Sequence, residues 1–444
     1  MKLFGVEISR VRSQAPAVDT PRTFDSDFVS MFLNQHDRPS LSLLDESRKL
    51  VSGNPYASKF VDVCEAFTVG SDVVRLDLSG DGSNAVQTAW NMWIASADIH
   101  ERSAEEVQRD MVRRLVRDGE IFVRVLEQED GSLKIHLVDS GIIEYERDGS
   151  EFRFGGIVFD EMGRPEEYVL GDTSSFHDRD ELDPGTPSET IRVPASKMVH
   201  VYRGSNPGHV RGLPWIAPAI STMKRLEAYE DAAMKAFQLA ASSPALHKFP
   251  KGRPGKTAEQ DAGGSKIQIK PGGLISIPND QDLTSLDLSA SVSDYTGTRA
   301  AMIATIASGI GISYHSLASD ASKANMSSLQ VGASEDRAMF REIQRIVGDA
   351  VVRIYRRWIA NELLRPDGLT TADLRRSSGV RVSYPHIASP LVSRDAQVTS
   401  AQIRDQVKSP QQAIRESGGD PQVVADEIVE WRRMTQDPSL AQEQ

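Results

Sequence analysis

The stretch NPGHVRGLPWIAPAISTMKRLEAYEDAAMKAFQLA, residues 206–240, separates two kinds of sequence pattern. Before it, apolar residues form short runs typical of β-strands. From Pro214 onward they recur every three or four positions, which predicts one apolar face on a helix of about 28 residues, roughly 42 Å long. Pro214 suits the first helical turn, and Pro244 ends the pattern. The predicted face consists of Ile216, Ile220, Met223, Leu226, Tyr229, Ala233, Phe237 and Ala240.

The residues before this stretch predict helices followed by strands. A helical pattern runs from Leu41 to about Val73 and is interrupted at Gly53-Asn54-Pro55. Ser103 and Glu106 have the spacing of a capping box, in which each side chain satisfies a free backbone N–H of the first turn. Two predicted hairpins follow, with strands at 120–126 and 133–138, then at 156–160 and 167–170. The polar residues 172–189 predict a surface loop.

The residues after this stretch are mostly helical in pattern. Short strands are predicted at 266–270 and 274–277, and a second helix from Asp294 to about Ile310. The polar segment 313–328 has no periodicity. A third helix then runs to about Leu364, some 55 Å at the usual rise. Near the C-terminus, Ser409-Pro410 and Asp420-Pro421 indicate two further helix starts. The predicted fold class is therefore α+β and mostly helical.

Composition excludes several classes of protein. The chain has 444 residues, a formal net charge of −12 and one cysteine, Cys64, which is expected to be a small buried hydrophobe. No apolar run approaches the ~18–20 residues of a membrane span, and none near the N-terminus predicts a signal peptide. An acidic chain is a poor candidate for sequence-specific DNA binding, although DNA could still slide past it.

The residues Pro250–Gln260, PKGRPGKTAEQ, resemble the end of a phosphate-binding loop. Pro250 occupies the position where that loop needs glycine, and it has no backbone N–H to offer a phosphate. Residues 242–247 also make a poor central strand. We therefore expect a basic, glycine-rich loop and no ATPase activity.

No residue pattern predicts a catalytic, metal or cofactor site. His200 and His209 flank a turn without a third ligand nearby, so a strand histidine and a loop histidine are expected. Two acidic groups, Asp180-Glu181-Asp183 and Glu105-Glu106, could in principle bind Mg²⁺, but a solvated loop and a capped helix explain them better.

Several motifs in fixed order resemble one known family, the lambda-like portal proteins of tailed bacteriophages. The resemblance runs from about Arg48 to Met434. Its strongest element is residues 206–218, and the others are 48–55, 118–123, 156–160, 163–165, 193–195, 200–203, 306–320 and 325–328.

The resemblance implies a ring of usually twelve subunits at one capsid vertex, with DNA passing through a central channel. It divides the chain into wing, stem, clip and crown regions. We expect an N-terminal arm at 1–40, the wing at 41–206, a first stem helix at 207–243, the clip at 244–290, a second stem helix at 291–312, a channel-loop region at 313–328, a long helix with a return to the wing at 329–390, and crown helices at 391–444.

The resemblance also implies partners and sites. The expected partners are further copies of the chain, the large terminase, the head–tail adaptor, the major capsid or scaffold protein, and double-stranded DNA bound without sequence preference. Assembly in the host bacterial cytoplasm and a final place in the virion are implied. Docking residues in the clip would be Lys248, Lys251, Arg253 and Lys256, and channel-loop residues Asp320, Ser322, Lys323 and Asn325.

Alternatives remain for each of these assignments. The clip lysines and arginine could simply be a solvated loop, and the polar segment 313–328 could lie on the outer surface. The whole chain could be another ring-forming head–tail connector without a channel-gating role.

Overall fold

A computed structural model describes residues 41–70, 73–79, 83–143, 153–171, 190–204, 209–241, 245–249, 274–278, 295–320, 322, 325–366, 368–376, 379–385, 387, 392–417, 419 and 421–436. Helices dominate these residues. In chain order they are α1 (Leu41–Gly53), α2 (Pro55–Thr68), α3 (Ser83–Ile94), α4 (Ala104–Asp118), α5 (Ile220–Ala241), α6 (Tyr295–Ile310), α7 (Tyr314–Ala318), α8 (Met326–Glu362), α9 (Thr371–Arg376), α10 (Val392–Arg404), α11 (Pro410–Glu416) and α12 (Pro421–Gln436).

The strands of the described residues form four small sheets. The strand order is β3-β2-β8 in one sheet and β4-β5-β6-β7 in another, and the remaining strands pair as β1-β11 and β9-β10. The mostly helical α+β class predicted from the sequence is therefore correct. The strands are β1 (Arg75–Ser79), β2 (Glu120–Glu127), β3 (Leu133–Val138), β4 (Arg153–Phe154), β5 (Ile157–Phe159), β6 (Pro165–Leu170), β7 (Ile191–Pro194), β8 (Met198–Tyr202), β9 (Ala245–Phe249), β10 (Leu274–Pro278) and β11 (Gly379–Ser383).

Local sequence signals explain where several helices begin. Asn54 accepts hydrogen bonds from the backbone N–H groups of Tyr56 and Ala57, so the predicted interruption is a helix cap followed by Pro55 at the first position. The capping box of Ser103 and Glu106 forms as predicted. Ser409 caps α11 ahead of a proline in the same way.

The main core forms around the C-terminal two-thirds of α8. Residues of α8 from Phe340 to Ile359 pack against α2, α4 and strand β8. At its centre, the ring of Trp90 meets those of Tyr355 and Trp358 edge to face, with centroids 5.3 and 5.2 Å away. The long helix therefore buries most of its apolar face within its own chain. Cys64 lies in the same core and is fully buried, as expected.

Helices α5 and α6 form a pair that leaves the core. Ile220, Met223 and Leu226 at the start of α5 are buried, whereas residues 227–238 are half-buried or exposed. Tyr295 at the start of α6 stacks on Tyr229, with ring centroids 5.8 Å apart, and α6 returns to bury Ile306 and Ile310 in the core. The two helices are thus antiparallel, and their outer halves depend chiefly on each other.

The first helix of this pair is shorter than the predicted 28 residues. It has 22 residues, preceded by a 3-10 turn at Ala217–Ala219. Residues 212–216 are instead held against the end of α4, where the backbone N–H of Trp215 donates to the Val116 carbonyl at 3.1 Å. Pro218 then favours the tighter turn, because it has no N–H to donate to a helical bond.

Between these helices, the structure contains one strand that was not predicted from the sequence. Residues 245–249 form β9, which pairs in parallel with β10. The strand was missed because it belongs to an isolated two-stranded pair and lacks the alternation of a half-buried strand. The predicted strand at 266–270, the arm at 1–40, and the acidic loop at 172–189 lie outside the described residues.

The described residues of the segment 313–328 contain more helix than the sequence pattern predicted. Ser313 caps the short helix α7, whose Leu317 is only 1% exposed. Asn325 caps α8, so residues 326–328 are already its first turn. Several polar side chains of residues 313–320 find partners within the chain, so these residues can pack against it although they are polar.

Candidate functional site

A buried ion pair marks the point where the sheet of β2 and β8 passes to the helix pair. Glu120 on β2 and Arg211, which precedes α5 in the chain, are each 1% exposed. The Arg211 guanidinium donates to Oε1 of Glu120 from Nε at 2.9 Å and from Nη2 at 2.6 Å. Its remaining donors reach the carbonyl oxygens of Gly155 at 2.6 Å and Ser140 at 3.2 Å. The charge is therefore paired, and each of the three guanidinium nitrogens forms a hydrogen bond, as a buried arginine requires.

His200 on β8 completes this cluster. Its Nε2 lies 3.1 Å from Oε2 of Glu120, and its ring stacks on Phe122 with centroids 4.1 Å apart. Burial lowers the pKa of His200, more than the neighbouring carboxylate raises it. The neutral imidazole can then donate its Nε2 proton to Glu120. The histidine was predicted to lie in a strand, and the structure shows why it is there.

The backbones of the two segments touch at paired glycines. Gly119 has a φ of +91°, and Gly212 faces it so closely that a Cβ on Gly212 would lie 2.1 Å from the Gly119 carbonyl oxygen. The Gly212 N–H also donates to Oε2 of Glu120 at 3.0 Å. Only glycine allows both the positive φ and this approach.

A second ion pair joins α1 to the same place. Arg48 donates from Nε and Nη2 to the two carboxylate oxygens of Asp118 at 3.0 and 2.8 Å, and Nη2 also reaches Asp139 at 2.7 Å. Burial raises the pKa of Asp139, but the Arg48 guanidinium outweighs it, so the net effect is a lowered pKa. We call Arg48, Asp118, Glu120, His200 and Arg211 the junction cluster.

The junction cluster unites motifs that are far apart in sequence. Residues 48–55, 118–123, 200–203 and 206–218 were each singled out for their family resemblance, and each supplies one or more of its members. These motifs therefore meet in the fold where the chain passes from the sheet of β2 and β8 toward α5.

The junction cluster predicts a loss of stability in acid. Burial raises the pKa of Glu120, but Arg211 and His200 outweigh it and hold the pKa at about 2, below the ordinary 4.5. Its contribution is therefore present above pH 4.5 and is lost as the pH falls toward 2, on the order of 3 kcal/mol. The pKa of His200 is also lowered in the folded chain, so this residue adds to the loss of stability as the pH falls below 6.5.

This prediction can be checked by urea unfolding at a series of pH values. The Glu120→Gln variant should show a flatter decline below pH 4.5, since it has no carboxyl group to titrate there. Parallel curves for the variant and the wild type would contradict it.

Three of the four channel-loop residues predicted from the resemblance are described, and each takes part in a hydrogen bond within the chain. Oδ1 of Asp320 accepts a hydrogen bond from the Ser322 N–H at 2.9 Å, and its Oδ2 one from the Tyr314 hydroxyl at 3.3 Å. Oδ1 of Asn325 accepts from the Ser328 N–H at 2.8 Å. Ser322 and Asn325 are exposed, and Lys323 lies outside the described residues.

The same segment is anchored to α8 by one aspartate. Asp336 is 4% exposed, and its Oδ2 accepts from the hydroxyls of Ser313 at 2.8 Å and Ser316 at 2.5 Å. Its Oδ1 accepts from the Ser313 N–H at 2.6 Å. On the other side, the Lys59 ammonium contacts the Ser319 hydroxyl. Sequence reasoning missed Asp336, because nothing in the pattern of α8 pairs it with a segment 20 residues earlier.

The predicted docking residues are not brought together by the described structure. Lys248 falls in β9, of which only the backbone is described, while Lys251, Arg253 and Lys256 lie outside the described residues. The base of the helix pair is better described. Arg299 on α6 donates to Glu230 on α5 at 2.7 Å and to the Tyr56 hydroxyl on α2 at 2.6 Å, so it ties both helices to the core.

The described residues show neither a metal-binding cluster nor a membrane-spanning helix. They contain no group of three or more His, Cys, Asp or Glu side chains placed to hold a metal ion. None of their helices combines the length and the apolar character needed to cross a bilayer.

Comparison with known proteins identifies the family. A family model described as "Phage portal protein, lambda family" matches residues 33–344, well over half of the chain. The chain belongs to this family, whose members are structural proteins of the virion. Among curated proteins, it is 24% identical over 243 residues to a "Probable portal protein" of Halomonas phage phiHAP-1. That match covers 52% of this chain and 46% of the relative, so the chain spans about half the length of the relative it matches.

Solved structures share the fold. The virion of a native gene transfer agent particle contains a chain with a TM-score of 0.52 and 15% identity, and the match covers 89% of this chain and 98% of that one. A chain in the neck of an empty particle of this kind, computed with C6 symmetry, gives a TM-score of 0.53 and 16% identity over 87% and 96% of the two chains. These matches support a portal fold for most of the chain.

Proposed function

We propose that this chain is the subunit of a portal ring of about twelve copies, placed at one vertex of a phage capsid, through which DNA is packaged and ejected. The family match over residues 33–344 carries the proposal. The conduit would act by shape and charge, without catalysis of its own, and the subunit's formal net charge of −12 would discourage DNA from adhering.

The described helices support the wing, stem, clip and crown division. The antiparallel pair α5 and α6 has the arrangement expected of a stem, with its base in the core and β9 and β10 between the two helices in sequence. We assign 207–243 and 291–312 to the stem, 244–290 to the clip, 41–206 and 329–390 to the wing, and 391–444 to the crown. In this assignment, the junction cluster sets the angle between wing and stem.

The ring is tested by negative-stain electron microscopy and mass photometry of the purified chain. Closed rings with an open centre are expected over a range of salt and protein concentrations. A monomer that persists under all of these conditions would refute the proposal. The alternative, a connector without a channel-gating role, shares the ring and differs in the channel segment, which is tested separately below.

The clip is proposed to meet the terminase during packaging and the head–tail adaptor afterwards. Four cations within nine residues suit electrostatic steering toward an acidic partner. Alanine at all four should leave ring formation intact and weaken binding of the large terminase, most visibly at low salt. The variant replaces Lys248, Lys251, Arg253 and Lys256.

A matched control removes four positive charges from surfaces outside the clip. It should bind the terminase as the wild type does, which separates local docking from the overall charge. Equal terminase binding by the two variants would leave the clip as a solvated loop. The control replaces the exposed residues Lys49, Lys197, Arg356 and Arg381 by alanine.

The segment 313–328 is proposed to face the channel. Ser322→Cys is the best probe, because Ser322 is exposed and only its backbone N–H holds the turn at Asp320. Its thiol should react quickly in empty rings and slowly when DNA fills the channel. The native Cys64 need not be replaced, since burial raises the pKa of its thiol well above the usual value.

The control for this labelling is Met162→Cys, in the turn between β5 and β6, where the side chain is 70% exposed. It should react at the same rate with and without DNA. If Ser322→Cys behaves like Met162→Cys, the segment lies outside the channel.

A further inference from the structure

The last helix carries an apolar stripe that nothing in the described chain covers completely. Val424 packs near Gly419 and Ile414 of the preceding turn and helix. The stripe continues along α12 beyond the short helix α11, and there Ile428 is 43% and Trp431 is 65% exposed. A tryptophan this exposed is uncommon and often marks an interface.

The two flanks of this stripe carry opposite charges. Successive residues of a helix are rotated by about 100° around its axis. Measured in this way from Trp431, Glu427 lies at about 40° and Glu430 at about 100° on one side. Arg432 lies at about 100° on the other side. These three side chains are exposed. Among the described residues, none of the three forms an ion pair.

We infer that α12 packs against α12 of the neighbouring copy, with the acidic flank of one helix facing the basic flank of the next and with Ile428 and Trp431 buried at the contact. The inference rests on the proposed ring. Every subunit of a cyclic ring presents one side to the preceding copy and the opposite side to the next, so its contacts are heterologous. Opposite charges on opposite flanks are what such a contact requires between identical helices.

The partner's chemistry follows from the same observations. A subunit with a formal charge of −12 is repelled by its copies, and a contact that pairs local charges of opposite sign offsets part of this repulsion. The arrangement resembles the flanking charges of a coiled coil, which select the partner while the apolar seam provides the stability.

The test is a charge swap in the full-length chain, with ring dissociation followed by mass photometry during dilution. Arg432→Glu should raise the concentration at which half of the rings have dissociated by about tenfold or more. The pair Glu427→Lys and Glu430→Lys should do the same. Combining all three substitutions should restore most of the ring stability, which a role within one subunit would not produce.

Arg433→Glu is the matched control, because it makes the same change on the same helix at about 160° from Trp431. It should leave dissociation unchanged. The inference would be overturned if the rings of all variants dissociated at the same concentration, or if the combined variant did not regain ring stability. In either case the proposed ring itself would still stand. Absence of rings in the wild type would refute the proposed function instead.

Tryptophan fluorescence gives a second measurement. The difference between the wild type and Trp431→Phe isolates the signal of Trp431. That signal should move to shorter wavelength when rings form, because the indole leaves water. An unchanged spectrum on assembly would show that Trp431 stays exposed, contrary to the inference.

Discussion

Replacing Arg211 by methionine is expected to lower the free energy of unfolding by about 3–5 kcal/mol, the usual cost of leaving a buried charge without its partner. Glu120 would remain 1% exposed with only His200 and the Gly212 N–H as donors. The carbonyl oxygens of Gly155 and Ser140 would each lose a hydrogen bond as well. Urea unfolding monitored by circular dichroism measures the loss.

Two comparisons identify the cause of that loss. Arg164→Met removes an arginine that is 71% exposed and pairs with Asp160, so it should cost less than about 1 kcal/mol. Adding Glu120→Gln to Arg211→Met should recover part of the stability, because a neutral amide is cheaper to bury than a carboxylate. If Arg211→Met and Arg164→Met cost the same, the buried pair has no special role.

Gly212→Ala is expected to destabilise the chain by about 4 kcal/mol or more, in the range where a single substitution indicates a specific structural conflict. The new Cβ would lie 2.1 Å from the Gly119 carbonyl oxygen and 2.6 Å from its carbon, so backbone would have to move. Gly119 cannot easily retreat, since its φ of +91° already suits glycine alone. Thermal melting and the soluble yield both report the effect.

The control for this substitution is Gly53→Ala at the end of α1. A Cβ there would meet no atom within 4 Å. Alanine should be neutral or should stabilise the helix by up to about 1 kcal/mol. Similar melting temperatures for the two variants would show that the contact between Gly119 and Gly212 tolerates a side chain.

Features with a local cause could be predicted from the sequence. The helix starts predicted at Ser103 and Ser409 depend on residues within three positions of each other, and both caps form. The interruption predicted at Gly53-Asn54-Pro55 is also present, and the structure shows that Asn54 caps the second helix there. The long helix α8 was also predicted correctly, because its apolar residues repeat over many turns. Its end, Glu362, lies two residues before the predicted one.

The junction cluster could not be predicted, because its members are separated by up to 163 positions, from Arg48 to Arg211. A partial signal existed. Glu120 and Arg211 are charged residues among apolar and glycine neighbours, and charged side chains in such surroundings are buried only when they are paired. Their pairing with each other needed the fold.

The dependence of the core on α8 has a consequence for synthesis of the chain. Tyr355 and Trp358 lie at the centre of the aromatic group that covers Trp90, so helices near the N-terminus have no finished core until about 360 residues have been made. Translation proceeds at about 5–20 residues per second, so the N-terminal helices of a nascent chain would wait tens of seconds for α8 to be synthesised. In the proposed ring, a subunit truncated before this helix would lack the folded surface that neighbouring copies need. Only chains synthesised as far as α8 would then be able to join other subunits.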